Sequence, residues 1–311
     1  MKKILFAALI GSVLAGSALF TGCNGCKEIG PNVNLSKPTT DSILADSTWM
    51  LSAAAIGTLT TDPHNVLVEE FTGQACSNCP AAHQHLDDIA ALYPAGRVNI
   101  IGLYINGLPQ TNPPSGYIYD FRDPSATLIG KNIYGNGIAL PEGGVDRVPV
   151  GGQILLYSND WAAAVSSRIT TPDSLNLAVS STYNTTTLKA TITVTVTYTQ
   201  NVSTKQNLSV VVVEDSMVDL QEFPDSVHSG YHFNDIFRDM VSMSIPSGDP
   251  VLDTLPSKAK GLVFRHSYSY TPKTVTPAIK PANCRVIAFI NTNVGSDMHV
   301  LQSAQTKLMG P

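Results

Sequence analysis

A pair of cysteines separated by two residues is the part of the sequence best suited to covalent chemistry. Cys76 and Cys79 lie between an apolar segment, residues 66–71, and a segment from Pro80 onward whose apolar residues recur at helical spacing. At the first turn of a helix, unpaired N–H groups and the positive end of the helix dipole stabilise a thiolate. The pattern therefore predicts a redox-active dithiol in which Cys76 attacks and Cys79 resolves the mixed disulfide.

The elements that must position these cysteines predict an α/β arrangement. Residues 66–71 are typical of a half-buried strand, and Ala82, Leu86 and Ile89 fall on one face of the following helix. Pro80 is compatible with a first helical turn because its missing N–H has no partner there in any case. Further elements are predicted at residues 98–105 (an apolar strand), 125–133 (a short helix within the long loop 106–136) and 160–168 (a closing helix).

An acidic residue near the dithiol could move its protons. Glu70 lies six residues before Cys76, at the end of the predicted strand, and resembles the buried acid of thioredoxins. That resemblance implies that Glu70 accepts or relays the proton of the second thiol. A partly desolvated carboxyl group has a raised pKa, which makes it a suitable base. Glu69 is the alternative for this role.

A proline downstream could position a partner chain. Leu140-Pro141 resembles the proline that thioredoxin-like folds hold in the cis form opposite the dithiol. A cis bond there exposes backbone groups that pair with an extended substrate strand. Val148-Pro149 is the alternative. Thioredoxins usually carry tryptophan at the position of Ala75 and Gly-Pro between the cysteines, so partner docking and reduction potential stay open.

A histidine pair raises a metal-binding alternative. Cys79 and His83 are four residues apart on one helical face, so Cys76, Cys79 and His83 are candidate ligands for a soft metal ion. His85 points to another side of the helix and cannot join them. The favoured interpretation is a solvated histidine pair, so no metal and no cofactor are predicted.

The first residues predict export and lipidation. Lys2 and Lys3 precede an apolar run at residues 4–20 and the small residues before Cys23, so residues 1–22 are typical of a signal peptide. The end of this segment resembles a bacterial lipobox, which implies lipidation of Cys23. Cys26 is a poorer alternative acceptor. Residues 23–62 are rich in polar and turn-forming residues and predict a tether, with a strand near residues 49–55.

Charge and cysteine content narrow the class of protein. Without Lys2 and Lys3 the chain has 17 basic and 24 acidic residues, and no basic stripe is present, so nucleic acid is not an expected partner. The five cysteines do not form the pattern of a disulfide-stapled scaffold. Cys284, which precedes an apolar segment, is interpreted as a buried and inert thiol.

The second half of the chain predicts an all-β domain. Residues 188–198 alternate strictly between apolar residues and threonines, which is typical of a strand with one wet face. Short apolar segments separated by turn residues indicate an antiparallel β-sandwich of immunoglobulin-like type. These additional strands are predicted at residues 175–179, 208–213, 262–266, 286–290 and 300–304. The predicted domains are therefore an α/β domain at residues 63–172 and a β-sandwich at residues 173–311.

Several motifs together resemble one known family. Residues 68–80 (VEEFTGQACSNCP), residues 143–147 (GGVDR), residues 213–215, Gln221 and residues 231–233 are similar to the Bacteroidetes-type twenty-eight-kilodalton outer-membrane protein family. The resemblance spans most of residues 60–305. It implies a lipid-anchored outer-membrane protein with a thioredoxin-like domain followed by a β-sandwich, on the periplasmic or the surface side of that membrane.

Three functional hypotheses follow. The first is thiol–disulfide exchange with protein or peptide partners in the cell envelope, with Cys76, Cys79, Glu70 and Pro141 as the site and the membrane contacted through a lipid on Cys23. The second is a surface adhesin or binding lipoprotein in which Cys76–Cys79 is a structural disulfide. The third is a metal-binding protein. The natural partner and the oligomeric state stay open.

Overall fold

The computed structural model describes residues 42–275 and 278–310. The predicted signal peptide, the lipidation site Cys23 and its alternative Cys26 lie outside the described residues. Among the helices that are described, none combines the length and the apolar character needed to cross a bilayer.

The described residues form four α-helices and fifteen strands. The helices are α1 (Ala53–Thr58), α2 (Cys79–Ala91), α3 (Pro124–Ile129) and α4 (Ser158–Arg168). The strands are β1 (Ser42–Met50), β2 (Val66–Phe71), β3 (Val98–Leu103), β4 (Glu142–Val145), β5 (Leu156–Tyr157), β6 (Leu175–Asn184), β7 (Lys189–Tyr198), β8 (Gln206–Glu214), β9 (Met217–Glu222), β10 (Val227–Phe233), β11 (Ile236–Met240), β12 (Asp249–Pro250), β13 (Leu262–Tyr270), β14 (Cys284–Thr292) and β15 (Val300–Lys307). The protein is therefore β-rich.

Three sheets are present in the described residues. A mixed sheet has the order β15-β14-β8-β11-β3-β2-β4-β5, with β12 pairing to β8. Within it, β3 is parallel to both β2 and β11, and the other pairs are antiparallel. A second, antiparallel sheet has the order β1-β13-β7-β6, and β9 and β10 form a hairpin of their own.

The period-two alternation of the long strands explains how the mixed sheet is covered on both faces. In β8, Val210 and Val212 enter the core shared with the β1-β13-β7-β6 sheet. Val211 and Val213 point to the opposite face and pack with α3 residues such as Ile129. One strand thus serves two hydrophobic cores, which accounts for its uninterrupted burial.

The core between the two larger sheets confirms the strand predictions of the second half. Ile192, Val194, Val196 and Tyr198 of β7 are fully buried in that core, as the alternation with threonine predicts. All five additional segments predicted as strands lie within β6, β8, β13, β14 and β15. Cys284 is a free thiol and is buried, as predicted, and burial raises its pKa to about 12.

The mixed sheet continues across the predicted domain boundary near residue 172. β11 pairs in parallel with β3, so strands from both predicted domains share one sheet. Leu67 and Ile101 pack in the same hydrophobic cluster as Val213 and Phe237. Sequence patterns reveal the elements on each side of residue 172, but this pairing depends on contacts between residues far apart in the chain.

The segment predicted as a tether differs from expectation. Residues 42–50 form β1, which pairs along its length with β13, and Ser52 caps α1 through its side chain. The side chains of β1 are exposed, so the strand is held by backbone pairing and by a few contacts such as the Arg265 guanidinium over the Trp49 ring. An edge strand without a buried face has no hydrophobic alternation, and the sequence therefore does not reveal it.

A buried histidine joins the start of β2 to α4. The His64 imidazole contacts the carboxylates of Asp146 and Asp173 at 2.7 and 3.0 Å, and Arg168 donates to Asp146. Burial lowers the His64 pKa, but the hydrogen bonds and charges of the two aspartates outweigh it and raise the pKa to about 9. Asp146 also accepts a hydrogen bond from the Leu67 backbone N–H, which fixes the register of β2.

Candidate functional site

The two motif cysteines form a disulfide at the start of α2. Cys79 is the first residue of the helix, and Asn78 precedes it without a side-chain cap. The preceding turn places the Cys79 N–H 3.1 Å from the Cys76 carbonyl oxygen. β2 and α2 occupy the positions predicted for them, and Ala82, Leu86 and Ile89 form the buried face of the helix.

The disulfide is enclosed by the protein. Cys76, the predicted attacking cysteine, is only 4% exposed, and Cys79 is fully buried. The β9 strand covers the motif because Gln221 donates hydrogen bonds to the carbonyl oxygens of Cys76 and Gly73. The Glu222 N–H donates to Gln74 over 2.9 Å as well.

Glu70 lies on the face of the mixed sheet that α2 covers. Val66 and Val68 pack against α2 residues such as Leu86, and the alternation of β2 places Glu70 on the same side. Its exposed fraction is 3%, and its Oε1 atom has no hydrogen-bond partner. Burial raises the Glu70 pKa well above its ordinary value, and the charges of Asp235 and Asp87 raise it further.

A small cavity, here named the Glu70 cavity, opens beside this carboxyl group. Its volume is about 40 Å³, and its buried lining consists of Glu70, Leu86 and Ile100. Its exposed lining consists of Asp87, His232 and Asn234, so the cavity opens to solvent there. His83, Tyr231 and Asp235 complete it.

His83 links α2 to the β9–β10 hairpin. Its Nε2 atom lies 2.8 Å from the Thr72 hydroxyl oxygen and 3.5 Å from Glu70 Oε1, and its Nδ1 atom lies 2.8 Å from the Tyr231 hydroxyl oxygen. Burial lowers the His83 pKa to about 4, so the ring is neutral at physiological pH. His83 therefore supplies no positive charge to stabilise a thiolate at the cysteine pair.

Glu69, the alternative acid, lies on the opposite face of β2. Arg147 donates two hydrogen bonds of 2.7 Å to its carboxylate, and the Tyr134 hydroxyl donates a third. Gly144 makes this possible, because a Cβ atom at that position would lie 2.3 Å from the Tyr134 hydroxyl oxygen. Glu69 is thus a structural ion-pair residue, and of the two acids only Glu70 lies on the side of α2.

Pro141 lies near the end of β2. The Leu140–Pro141 peptide bond is cis, and Val148–Pro149, the alternative, is not among the cis bonds of the described residues. Glu142 pairs with Phe71, and a Cβ atom on Gly73 would meet the Leu140 side chain at 3.2 Å. The proline is therefore adjacent to the turn that leads into the cysteine motif.

The metal-ligand set considered from sequence is not assembled. Both sulfur atoms are joined in the disulfide, and both ring nitrogens of His83 contact hydroxyl groups. No group of three or more potential ligands with metal-binding geometry occurs in the described part of the chain.

The family of the protein follows from a comparison with family models. The model of the outer membrane protein Omp28 matches residues 130–310, which is more than half of the chain. The chain belongs to the Omp28 family. Membership assigns the protein to the outer membrane. The matched residues include Pro141 and the β9–β10 hairpin, whereas Cys76 and Cys79 lie before them, so the family match is shorter than the resemblance seen in the sequence.

Three solved structures are similar to the Omp28-family chain. HBP35 of Porphyromonas gingivalis is similar with a TM-score of 0.60 at 15% identity, covering 80% of this chain and 77% of that one. A protein from Agrobacterium tumefaciens gives 0.45 at 14% identity, covering 79% and 95%. A domain of the outer membrane lipoprotein Omp28 from Porphyromonas gingivalis gives 0.29 at 17% identity, covering 44% and 90%. No curated protein matches the sequence.

Two residues of the site had no role assigned from sequence. Gln221 and Tyr231 belong to motifs that resemble the Omp28 family, yet only the structure brings Gln221 to the Cys76 carbonyl and Tyr231 to His83. Their separation from the motif by about 150 residues explains why local patterns do not connect them. In the sequence, only the family-like motifs indicated that Gln221 and Tyr231 are important.

Proposed function

We propose that this Omp28-family protein is a lipid-anchored thiol–disulfide exchange protein of the cell envelope, with a thioredoxin-like arrangement around Cys76 and Cys79. The observation that carries the proposal is the unpaired, buried Glu70 carboxyl group on the face of the sheet covered by the helix that begins at Cys79. Burial raises the pKa of this carboxyl group, which makes it a stronger proton acceptor than an ordinary glutamate.

The exchange begins from the reduced Cys76–Cys79 pair. The Cys76 thiolate attacks one sulfur of a partner disulfide, which forms a mixed disulfide and releases the partner's other sulfur as a thiolate. The Cys79 thiol loses its proton, which we assign to ionised Glu70, and its sulfur then attacks Cys76. The mixed disulfide breaks, the partner leaves with both sulfurs reduced, and Cys76–Cys79 is oxidised. A second envelope protein that carries a dithiol restores the reduced pair by the reverse exchange.

Pro141 is the proposed positioning residue for the partner chain. It lies beside the turn that leads into the motif, and extended peptides pair with exposed backbone groups in such settings. A partner chain that pairs with the Cys76 carbonyl oxygen must displace the Gln221 side chain, which donates a hydrogen bond to it.

The test is the reduction potential of the pair, together with insulin-reduction activity. The proposal predicts a potential above about −300 mV, the usual bound for structural disulfides of secreted proteins. It also predicts turnover that Cys76→Ser abolishes. A potential below that bound with no turnover contradicts the exchange role. Cys284→Ser is the matched control, because Cys284 is a buried thiol outside the site.

A second candidate function is a binding lipoprotein with a structural disulfide. The burial of Cys76 and the hydrogen bonds from Gln221 favour it, because they restrict access of a partner thiol. Under this hypothesis reduction of the disulfide lowers the free energy of unfolding, by about 2 kcal/mol for so short a loop. The exchange hypothesis predicts instead that the reduced protein keeps the fold at physiological temperature.

The membrane anchor is proposed to be a lipid on Cys23. Its support is the lipobox-like sequence that ends at this residue. Labelling of cells with a radioactive fatty acid should mark the protein, and Cys23→Ser should abolish the label while Cys26→Ser keeps it. Equal labelling of wild type and Cys23→Ser overturns the proposal.

A further inference from the structure

The Glu70 cavity contains a buried carboxyl oxygen that lacks a donor. Glu70 Oε1 has no hydrogen-bond partner. The His83 Nε2 atom is 3.5 Å away from it and lies closer to the Thr72 hydroxyl oxygen, at 2.8 Å. Leaving a buried acceptor unpaired is unfavourable, and more so for a charged group. A ligand that brings a donor into the cavity removes this cost.

The charges around the cavity specify the sign of that ligand. Three carboxyl groups line it, from Glu70, Asp87 and Asp235, and no lysine or arginine does. The Arg285 guanidinium forms an ion pair with the Asp235 carboxylate and so offsets the charge of this one member of the three. Since His83 is neutral at physiological pH, the cavity as a whole attracts a cation.

The size of the cavity specifies a compact cationic group. Its volume of about 40 Å³ admits a few atoms, since one water molecule needs at least about 10–15 Å³ of such space. An ammonium group is compact and carries three donors, whereas a guanidinium group is a larger planar fork and a quaternary ammonium group has no donor at all.

A wider groove continues from the cavity and can hold the rest of the ligand. It shares His83, Asp87 and Tyr231 with the cavity and has a volume of about 590 Å³. Phe223 and Pro224 of the hairpin side add apolar surface to it. Methylene groups next to an ammonium head would lie against this surface.

We propose that the Glu70 cavity binds the primary ammonium group of an unbranched alkylamine, with the alkyl chain in the adjoining groove. The shared chemistry is found in a lysine side chain of a polypeptide and in a free aliphatic diamine. The site stands on its own contacts and does not depend on thiol–disulfide exchange.

The test uses the full oxidised chain in detergent and n-butylammonium chloride as the probe. Methyl resonances of Leu86 and Ile100, which line the cavity, should shift in a saturable manner as the probe is added. Tetramethylammonium chloride at equal ionic strength should leave them unchanged. No saturable shift with n-butylammonium, or equal shifts with both salts, overturns the proposal.

Three variants separate the site from general charge effects. Glu70→Gln, which keeps the shape of the side chain, should weaken binding at least about tenfold, equivalent to about 1.4 kcal/mol. Asp87→Asn, at an exposed position, should weaken it several-fold. Asp88→Asn is the matched control, since Asp88 is the next exposed residue and does not line the cavity, and it should bind as wild type does.

The same titration identifies the source of the ammonium group. Tighter binding of N-acetyl-lysine-N-methylamide than of putrescine assigns the site to a polypeptide side chain, and the reverse order assigns it to a free diamine. Retention of the disulfide and of a cooperative thermal unfolding transition shows that Glu70→Gln is folded. Binding of the probe by folded Glu70→Gln with wild-type affinity contradicts the proposal.

Discussion

Two adjacent glutamates on β2 illustrate two uses of a buried charge. Glu69 faces Arg147 and Tyr134 and is fully hydrogen-bonded, whereas Glu70 faces α2 and keeps an oxygen without a partner. Both are buried. Successive side chains of a strand point to opposite faces of the sheet. Adjacent residues therefore place one carboxyl group in a fully hydrogen-bonded network and the other in a site where it lacks a hydrogen-bond donor.

The largest expected effect on stability concerns the hydrogen-bonded Glu69. Arg147→Ala leaves the Glu69 carboxylate buried without its counter-charge, so the free energy of unfolding should fall by about 3–5 kcal/mol. Urea denaturation at neutral pH measures this change. The double variant Glu69→Leu with Arg147→Met removes both charges and should recover much of the loss. A loss below about 1 kcal/mol for Arg147→Ala would show that the pair contributes little.

For Glu70, which lacks a hydrogen-bond partner at Oε1, the expected effect on stability depends on pH. The Glu70 pKa is raised in the folded protein, so its stabilising contribution is complete below the ordinary pKa of 4.5 and is lost as pH rises. Wild type should therefore lose stability relative to Glu70→Gln with a slope approaching about 1.4 kcal/mol per pH unit, the value for one proton.

His64 also titrates, but its effect cancels in this comparison. Its pKa of about 9 causes a loss of stability between about pH 6.5 and pH 9 in both proteins. The difference between wild type and Glu70→Gln, measured by urea denaturation from pH 5 to pH 8, isolates Glu70. A difference that is independent of pH would contradict the raised pKa.

Two tyrosine variants compare the two faces of β2, because each variant removes one hydroxyl group and its hydrogen bond on one face. Tyr134→Phe removes a hydrogen bond to the charged Glu69 and should cost about 1.5–3 kcal/mol. Tyr231→Phe removes a hydrogen bond to neutral His83 and should cost about 0.5–1.5 kcal/mol. Thermal and urea denaturation of both variants tests the order, and a larger cost for Tyr231→Phe would reverse the assignment of the two faces.

The smallest expected effect on stability concerns the hydrogen bonds from β9 to the cysteine motif. Gln221→Ala removes the donors to the Cys76 and Gly73 carbonyl oxygens and should cost about 1 kcal/mol. Reduction of the disulfide by dithiothreitol should become faster, because β9 then holds the motif less firmly. Gln84→Ala, on the exposed surface of α2, is the control. Equal reduction rates in Gln221→Ala and wild type would show that β9 does not restrict access.

The sequence predicted much of the local structure around this comparison. Alternation and helical spacing placed β2, α2 and most strands of the second half, and the position of Glu70 at the end of β2 singled it out from the motif. The Glu70 cavity was not predictable, because it requires His83 and Tyr231 to meet across 148 residues of sequence. The hairpin that supplies Tyr231 was missed because β10 is largely exposed and lacks apolar alternation.

The most direct test of the account is a titration of the glutamate side chains by carbon-13 NMR. Glu69→Gln and Glu70→Gln assign the two carboxyl resonances. The account predicts that Glu70 titrates well above the ordinary value of 4.5, because it is buried without a counter-charge. A Glu70 resonance that titrates at or below 4.5 would contradict the account, since a partner would then stabilise the charged form of the carboxyl group.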